Sequence, residues 1–194
     1  LKEVVATANE SGASANLDKL LVNADKASDI KALTQKAKVS DVEGVEPIFD
    51  ADLLDTVFEN ADKASDLKEV VDAFEVSQEE GTTVDVSNLL ANADKTDELK
   101  KLSDEVKKIQ DAGDTTAARD LFKNVADNAA NADVLSEVVE SANESGATGS
   151  VRALIKNADK AEAFKAAKDS AGGDAGKVAT LFKVIEKVDE TQPT

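Results

Sequence analysis

The sequence predicts an all-α protein, a right-handed-type α-solenoid of about six helix-turn-helix repeats with about twelve short helices. Three observations predict this fold. A phrase close to Asn-Ala-Asp-Lys recurs along the 194 residues, apolar residues keep a fixed spacing around its Asn, and a glycine separates most of the apolar segments. Self-similarity at a period of about 20 to 50 residues is typical of arrays in which each repeat packs on the next.

The recurring asparagine is the anchor of each repeat. The segments that begin at Leu1 and Leu135 align without a gap over the whole of the first anchor region. Successive anchors are 37, 32, 36 and 29 residues apart, which suits one helical hairpin per repeat. The five anchors are Asn23, Asn60, Asn92, Asn128 and Asn157.

An amphipathic helix, called helix B, precedes each anchor. Apolar residues lie six, three and two positions before the Asn, and this spacing places them on one stripe of a helix. In the first repeat they are Leu17, Leu20 and Leu21, which we therefore expect in the core. A sixth copy has the apolar triplet but a valine in place of the Asn, and it predicts a diverged end cap: Val178, Leu181, Phe182 and Val184.

A second amphipathic helix, helix A, follows each anchor with the same period. Between helix A and the next helix B we expect a glycine, because a helix C-terminus often needs a residue that tolerates positive φ. The glycines in these loops are Gly12, Gly44, Gly81, Gly113, Gly146, Gly172 and Gly173. The two prolines, Pro47 and Pro193, are expected outside the helices.

The turn from helix B to helix A has no glycine, so the anchor Asn itself is the candidate for a left-handed residue. A row of Asn side chains along a groove that binds an extended peptide is the alternative. For the N-cap of helix A we expect the residue five positions past the anchor, with the Asp two positions past it as the alternative. The first set is Ser28, Ser65, Asp97 and Asp133.

We expect one domain, an array over residues 1–188, with a polar tail or linker at 189–194. Its units are 1–27, 28–64, 65–96, 97–132, 133–161 and 162–188. In architecture the array resembles solenoids of the TPR, HEAT or armadillo kind. Residues 112–122 are similar to part of a TPR helix pair, but the Trp, Tyr and Pro signature of that family is absent, so no single family is indicated.

Composition excludes several classes of partner. The net charge is −17 and only two arginines occur, so the clustered basic side chains that bind nucleic acid or an anionic membrane are missing. Without Trp or Tyr there is no usual platform for carbohydrate or single-stranded nucleic acid. The longest uncharged run is eight residues, far below the ~20 that cross a bilayer, so no membrane insertion is expected.

Composition also argues against an enzyme and against a cofactor. The chain has no Cys and no His, which closes the common nucleophilic routes and removes the usual zinc ligands. Carboxylates remain, and Asp50, Asp52 and Asp55 are weak calcium candidates, although neither they nor a second group fits an EF-hand loop. The alternative is that Asp50 or Asp52 caps a helix. The second group is Asp111, Asp114 and Asp120.

Two functions remain open. The first is a non-enzymatic structural segment, a spacer or assembly element, of a larger exported or cell-surface protein. No Met occurs, even at position 1, so we expect a processed or partial chain, soluble and extracellular. The second is a solenoid that binds a peptide or helix of a protein partner in its groove. A contiguous non-acidic patch on the helix A faces favours binding, and a uniformly acidic surface favours a spacer.

Overall fold

The computed structural model describes residues 1–13, 16–39, 48–78 and 86–191. Within these residues it contains twelve α-helices, as the period predicted. Gly44, Gly81, Pro47 and Pro193 lie outside the described residues. The helices are α1 (Lys2–Ser11), α2 (Leu17–Val22), α3 (Ala27–Lys36), α4 (Ala51–Glu59), α5 (Ala64–Ser77), α6 (Ser87–Ala91), α7 (Thr96–Asp111), α8 (Thr115–Asp127), α9 (Ala132–Glu144), α10 (Val151–Lys156), α11 (Ala161–Ser170) and α12 (Ala175–Thr191).

The helices pack in two rows. Each odd-numbered helix is a helix A and contacts the next odd-numbered helix, from α1 through to α11. Each even-numbered helix is a helix B and contacts the next even-numbered helix, from α2 through to α12. Contacts between the rows, most extensive between α7 and α8, close the core that both rows share.

The glycines between helix A and helix B have the predicted conformation. At Gly146 φ is 77°, and the backbone N–H of Ala147 donates to the carbonyl of Ala142 at 2.8 Å, the long-range bond of a Schellman motif. This closure satisfies a helix-end carbonyl that has no intrahelical partner. The same sign of φ occurs at Gly12, Gly113, Gly172 and Gly173.

Strand structure is minimal, as expected. Two residues, β1 (Lys38–Val39), pair antiparallel with two others, β2 (Ile48–Phe49). This pair joins the two ends of the connection between α3 and α4. Just past it, the backbone N–H of Asp50 donates to the carbonyl of Ala37 at 2.9 Å, which places the start of α4 beside the end of α3.

The core contains the predicted stripe of helix B in all but the first and last repeats. Leu54, Val57 and Phe58 are at most 1% exposed. In the first repeat Leu20 is fully buried, but Leu21 is 63% exposed. The expectation that Leu21 is a core residue is therefore wrong, because no described helix covers that side of α2.

The end of the array also differs from the sequence expectation. The sequence predicts a polar tail from residue 189, but α12 continues as helix through Thr191. Residues 192–194 lie outside the described part of the chain. At the other boundaries, helix A begins one residue before the expected start of its unit, for example at Ala64 and at Thr96.

Candidate functional site: the repeat junctions

The anchor asparagines make the same side-chain hydrogen bond five times. In each repeat the Nδ2 of the anchor donates to the backbone carbonyl of the residue four positions earlier. Helix B ends at the residue just before the anchor in all five cases. In four of the five repeats the same carbonyl also accepts the backbone N–H of the anchor, so the amide is a side-chain cap that adds a second hydrogen bond at the C-terminus of helix B. The donor–acceptor distances are 3.0 Å at Asn23, 2.9 Å at Asn60, 2.8 Å at Asn92, 2.9 Å at Asn128 and 2.9 Å at Asn157.

The expectation of a left-handed Asn is wrong. The φ angles of the anchors lie between −115° at Asn92 and −102° at Asn23, and among the described residues only glycines have positive φ. The chain instead passes from helix B into a three-residue 3₁₀ turn. At Asn60 the backbone carbonyl accepts from the N–H of Lys63 at 2.9 Å, and this bond closes the turn. Left-handed and capping roles draw on the same residue type, so the sequence does not separate them.

The expected N-caps of helix A are also wrong. Ser28, Ser65, Asp97 and Asp133 lie inside the first turn of their helices. The residue at the N-cap is a Lys or an Asn that makes no side-chain capping bond, as at Lys63 before α5. No cap is needed there because the 3₁₀ turn runs directly into the helix, and the N–H of Ala64 donates to the carbonyl of Ala61. The alternative Asp, two past the anchor, lies within the 3₁₀ turn.

The sixth repeat has a different residue at the anchor position. Val184 stands where the Asn is expected, and it has no amide to donate to the preceding turn. Here helix B does not stop, and α12 runs seven residues past Val184 to Thr191. In the six repeats, helix B therefore ends where the anchor is an Asn and continues where it is not.

The sequence reasoning missed a lysine that joins successive repeats. Three positions past the anchor, Lys63 Nζ donates to the carbonyl of Asp94 in the next turn at 2.9 Å and pairs with Asp97 at 2.9 Å. Lys26 and Lys95 make the same backbone bond to the following turn. The signal was present, since this Lys is the fourth residue of the recurring phrase. In the fourth repeat Asn131 takes its place.

Ion pairs join the helices of the A row. Glu69 on α5 accepts from Lys100 and from Lys107 on α7, and hydrogen bonds from these two lysines hold the pKa of Glu69 below its ordinary value. Glu137 on α9 accepts from two lysines of α11, and its pKa is lowered by the same cause. Each pair spans two repeats, so the charged surface also holds neighbouring helices together.

Of the three calcium candidates, Asp50 has a structural role. Asp50 is the N-cap of α4, and its Oδ1 accepts from the N–H of Asp52 at 3.0 Å and of Leu53 at 3.1 Å. The capping alternative is confirmed at Asp50. Asp52 is exposed and Asp55 half-buried. In the described ranges no three Asp or Glu side chains, these included, are grouped to hold a metal ion.

Asp111, Asp114 and Asp120, the second group of carboxylates, have different surroundings. Asp114 caps α8, accepting from the N–H of Ala117 at 3.1 Å, and it also pairs with Arg152 of the next repeat at 2.6 Å. These two contacts lower the pKa of Asp114. Asp111 and Asp120 are exposed. Asp114 is therefore a junction residue between α8 and α10.

A surface depression of about 430 Å³ lies near the end of α9. Ser141 of α9 and Ser145, the residue that follows α9, line it together with Lys168 of α11. Lys168 is paired with Glu137, and Ser141 and Ser145 both donate to backbone carbonyls of their own helix. The hydroxyls are thus engaged in local structure and form no nucleophile–base pair of the kind that catalysis requires.

Comparisons of the chain with protein-family models, with curated proteins and with solved structures find no match. In the part of the chain that the structure describes, no helix is long and apolar enough to cross a membrane. The junctions themselves are therefore the basis for any functional argument.

Proposed function

We propose that the chain is a right-handed-type α-solenoid that serves as a non-enzymatic spacer or assembly segment of a larger exported or cell-surface protein. The observation that carries the proposal is the repeated junction. An anchor amide ends helix B, and a lysine bonds to the following turn. A repeated joint of this kind fixes one unit on the next, and a spacer of defined length requires such a joint.

The pattern of helix contacts supports an extended array. Helices of one row contact their immediate neighbours in that row, so each repeat packs mainly on the repeats beside it.

The outer surface of the A row supports a spacer more than a binding groove. Exposed positions on α5, α7 and α9 are mostly carboxylates, and Val76 is the one apolar residue among them. Binding surfaces usually have clustered aromatic or apolar residues at exposed positions. The exposed residues of these helices are Ser65, Glu69, Asp72, Val76, Asp97, Lys101, Lys108, Asp111, Asp133, Glu140 and Glu144.

A distance measurement along the array tests the proposal. The chain has no Cys, so Glu59→Cys with Lys183→Cys gives one unique pair of spin-label sites. Both residues are exposed and directly precede the anchor position, in the second and the last repeat. At a concentration where the chain is monomeric, a spacer predicts a single narrow distance of about 36 Å, from four steps of about 9 Å between packed helices. A broad distribution, or a mean below about 25 Å, would contradict it.

A shorter pair inside the array gives the control. Glu59→Cys with Asp127→Cys labels the same exposed position two repeats apart, and the distance there should be about 18 Å, two helix spacings. If the short pair is narrow and the long pair is broad, the individual joints are sound but the array as a whole bends, and the spacer function fails.

A further inference from the structure

The first repeat exposes a position that all later repeats bury. Two residues before the anchor, Leu21 is 63% exposed, and the adjoining Val22 is 82% exposed. In the later repeats the residue at the position of Leu21 is at most 3% exposed. Among the described residues no helix B precedes α2, so this position corresponds to the side of helix B that a preceding repeat covers. The later residues are Phe58, Leu90, Ala126, Ile155 and Phe182.

The last repeat exposes the opposite side. Three residues before the anchor, Leu20 and its equivalents in the next four repeats are at most 3% exposed, whereas Leu181 is partly exposed. Val184 and Val188, on the same stripe of α12 as Leu181, are 54% and 51% exposed. This side of helix B is the one that a following repeat covers. The equivalents of Leu20 are Val57, Leu89, Val125 and Leu154.

The two exposed surfaces are thus the two halves of one kind of interface. We name them the leading face (Leu17, Leu21 and Val22) and the trailing face (Leu181, Val184 and Val188). Inside the array each helix B contacts the next helix B, and the residues at the positions of Leu21 and of Leu181 are buried there. We propose that the leading face of one copy of the chain packs on the trailing face of a second copy, so that the chains associate head to tail.

The distribution of charge favours a second copy at the ends. Residues 1–37 contain five basic and five acidic side chains, and residues 161–194 contain five and six. Residues 38–160 contain 13 basic and 29 acidic side chains and thus hold almost all of the net charge. Repulsion between two copies is therefore least when they approach end to end.

Polar groups at the two ends match the joint within the array. At three of the five junctions, the Lys three positions past one anchor bonds to the carbonyl two positions past the next anchor. Lys187 lies three positions past the anchor position of the last repeat, and it is exposed. Asp25 lies two positions past the anchor of the first repeat, and it is also exposed. An end-to-end contact thus has a donor on the trailing side and an acceptor on the leading side.

The two faces are different surfaces, so the contact is heterologous and produces open chains of copies rather than a closed dimer. This inference rests on the proposed assembly function and names its partner, a second copy. It predicts that the average mass in solution rises continuously with protein concentration above the 20.3 kDa of one chain.

Two variants that each block one face test the inference by light scattering and sedimentation. The leading-face variant is Leu21→Glu with Val22→Glu, and the trailing-face variant is Val184→Glu with Val188→Glu. All four positions are more than half exposed, so helix content by circular dichroism should stay unchanged. Each variant alone has one intact face and should remain a monomer at every concentration.

Mixing the two variants is the decisive step. The intact trailing face of one and the intact leading face of the other permit a single contact, so an equimolar mixture should stop at twice the mass of one chain. The control is Val76→Glu on α5, an apolar residue that is 79% exposed but distant from both ends, and it should assemble like the unmodified chain.

Three results would overturn the inference: an unmodified chain that stays monomeric, a mixture that forms no dimer, or a blocked variant that still self-associates. None of these results affects the distance between the two spin labels, which tests the spacer proposal separately. A monomer with the long, narrow distance therefore removes the head-to-tail contact alone, and a broad distance removes the spacer as well.

Discussion

The side-chain Nδ2 of Asn92 lies 2.8 Å from the backbone carbonyl oxygen of Asn88, one turn earlier on α6. Asn88 lies within α6, and Asn92 directly follows its last residue, Ala91. The amide satisfies a carbonyl that has no N–H of a following helical turn to accept. The same side-chain bond is present at each of the five anchors, and helix B ends just before each of them.

Replacing the anchor should destabilise the fold. Asn92→Ala removes the bond and should lower the free energy of unfolding by about 0.5–1.5 kcal/mol, measured by urea denaturation. Asn92→Gly should cost more than Asn92→Ala, because φ at this position is negative and glycine adds conformational entropy to the unfolded chain. Asn88→Ala is the matched control, since its side chain is exposed, and it should be close to neutral. A glycine variant as stable as the unmodified chain would favour the left-handed role instead.

Truncation of two adjacent leucines on α2 should destabilise the fold by very different amounts. Leu20→Ala leaves a cavity in the core and should cost about 2–5 kcal/mol. Leu21→Ala should cost less than about 1 kcal/mol, because the side chain is 63% exposed and little area is lost from the core. Chemical denaturation of the two variants at a concentration where the chain is monomeric gives the comparison. Equal losses of unfolding free energy would mean that Leu20 and Leu21 are equally buried, and hence that α2 is rotated about its axis relative to the structure.

The ion pairs of the A row predict a dependence of stability on pH. The pKa of Glu69 is lowered by hydrogen bonds from Lys100 and Lys107, so its contribution is present above the ordinary pKa of a Glu and is lost as the pH falls through the lowered value. The pKa of Lys100 is raised by its hydrogen bond to Glu69, so that contribution is present below the ordinary pKa of a Lys and is lost at high pH.

Glu69→Gln should therefore lower the free energy of unfolding at neutral pH by less than about 1 kcal/mol, since the Glu69 side chain is half exposed. The difference between variant and unmodified chain should disappear only as the pH falls through the lowered pKa of Glu69, and it should shrink in high salt. Glu144→Gln, an exposed carboxylate at the end of α9, is the control and should leave the pH profile unchanged. A difference that persists at low pH would show that packing, not charge, is lost.

Asp50 should act through its helix and not through a metal ion. Asp50→Ala removes the cap of α4 and should cost about 0.5–2 kcal/mol. Asp52→Ala, at an exposed neighbouring position, should cost much less. Thermal unfolding in millimolar calcium and in chelator should give the same midpoint for the unmodified chain. If calcium raised the midpoint of the unmodified chain but of neither variant, the result would support a calcium site at these residues.

The helices and their glycine ends could be predicted because those signals are local. An apolar stripe at helical spacing and a glycine after it require no knowledge of the rest of the fold. The exposure of Leu21 could not be predicted in this way, because it depends on whether a neighbouring repeat is present. The same register gives a buried Phe58 and an exposed Leu21.

The junction was located by the sequence but its mechanism was not. The anchor Asn marks the end of helix B in the sequence, yet both a left-handed turn and a side-chain cap use an Asn there. Only the backbone angle at Asn60, with φ of −103°, separates the two. The bond from Lys63 to Asp94 spans 31 residues, so its partner could be found only once the repeats were stacked.

Small-angle X-ray scattering of the monomeric chain tests the central claim most directly. An array of six repeats has five steps of about 9 Å between packed helices, to which one helix diameter of about 10 Å is added. An extended array is therefore expected to have a maximum dimension of about 55 Å. A compact domain of the same length has a radius of gyration of about 16 Å, which corresponds to a sphere about 42 Å across. A maximum dimension near 42 Å would contradict the extended array.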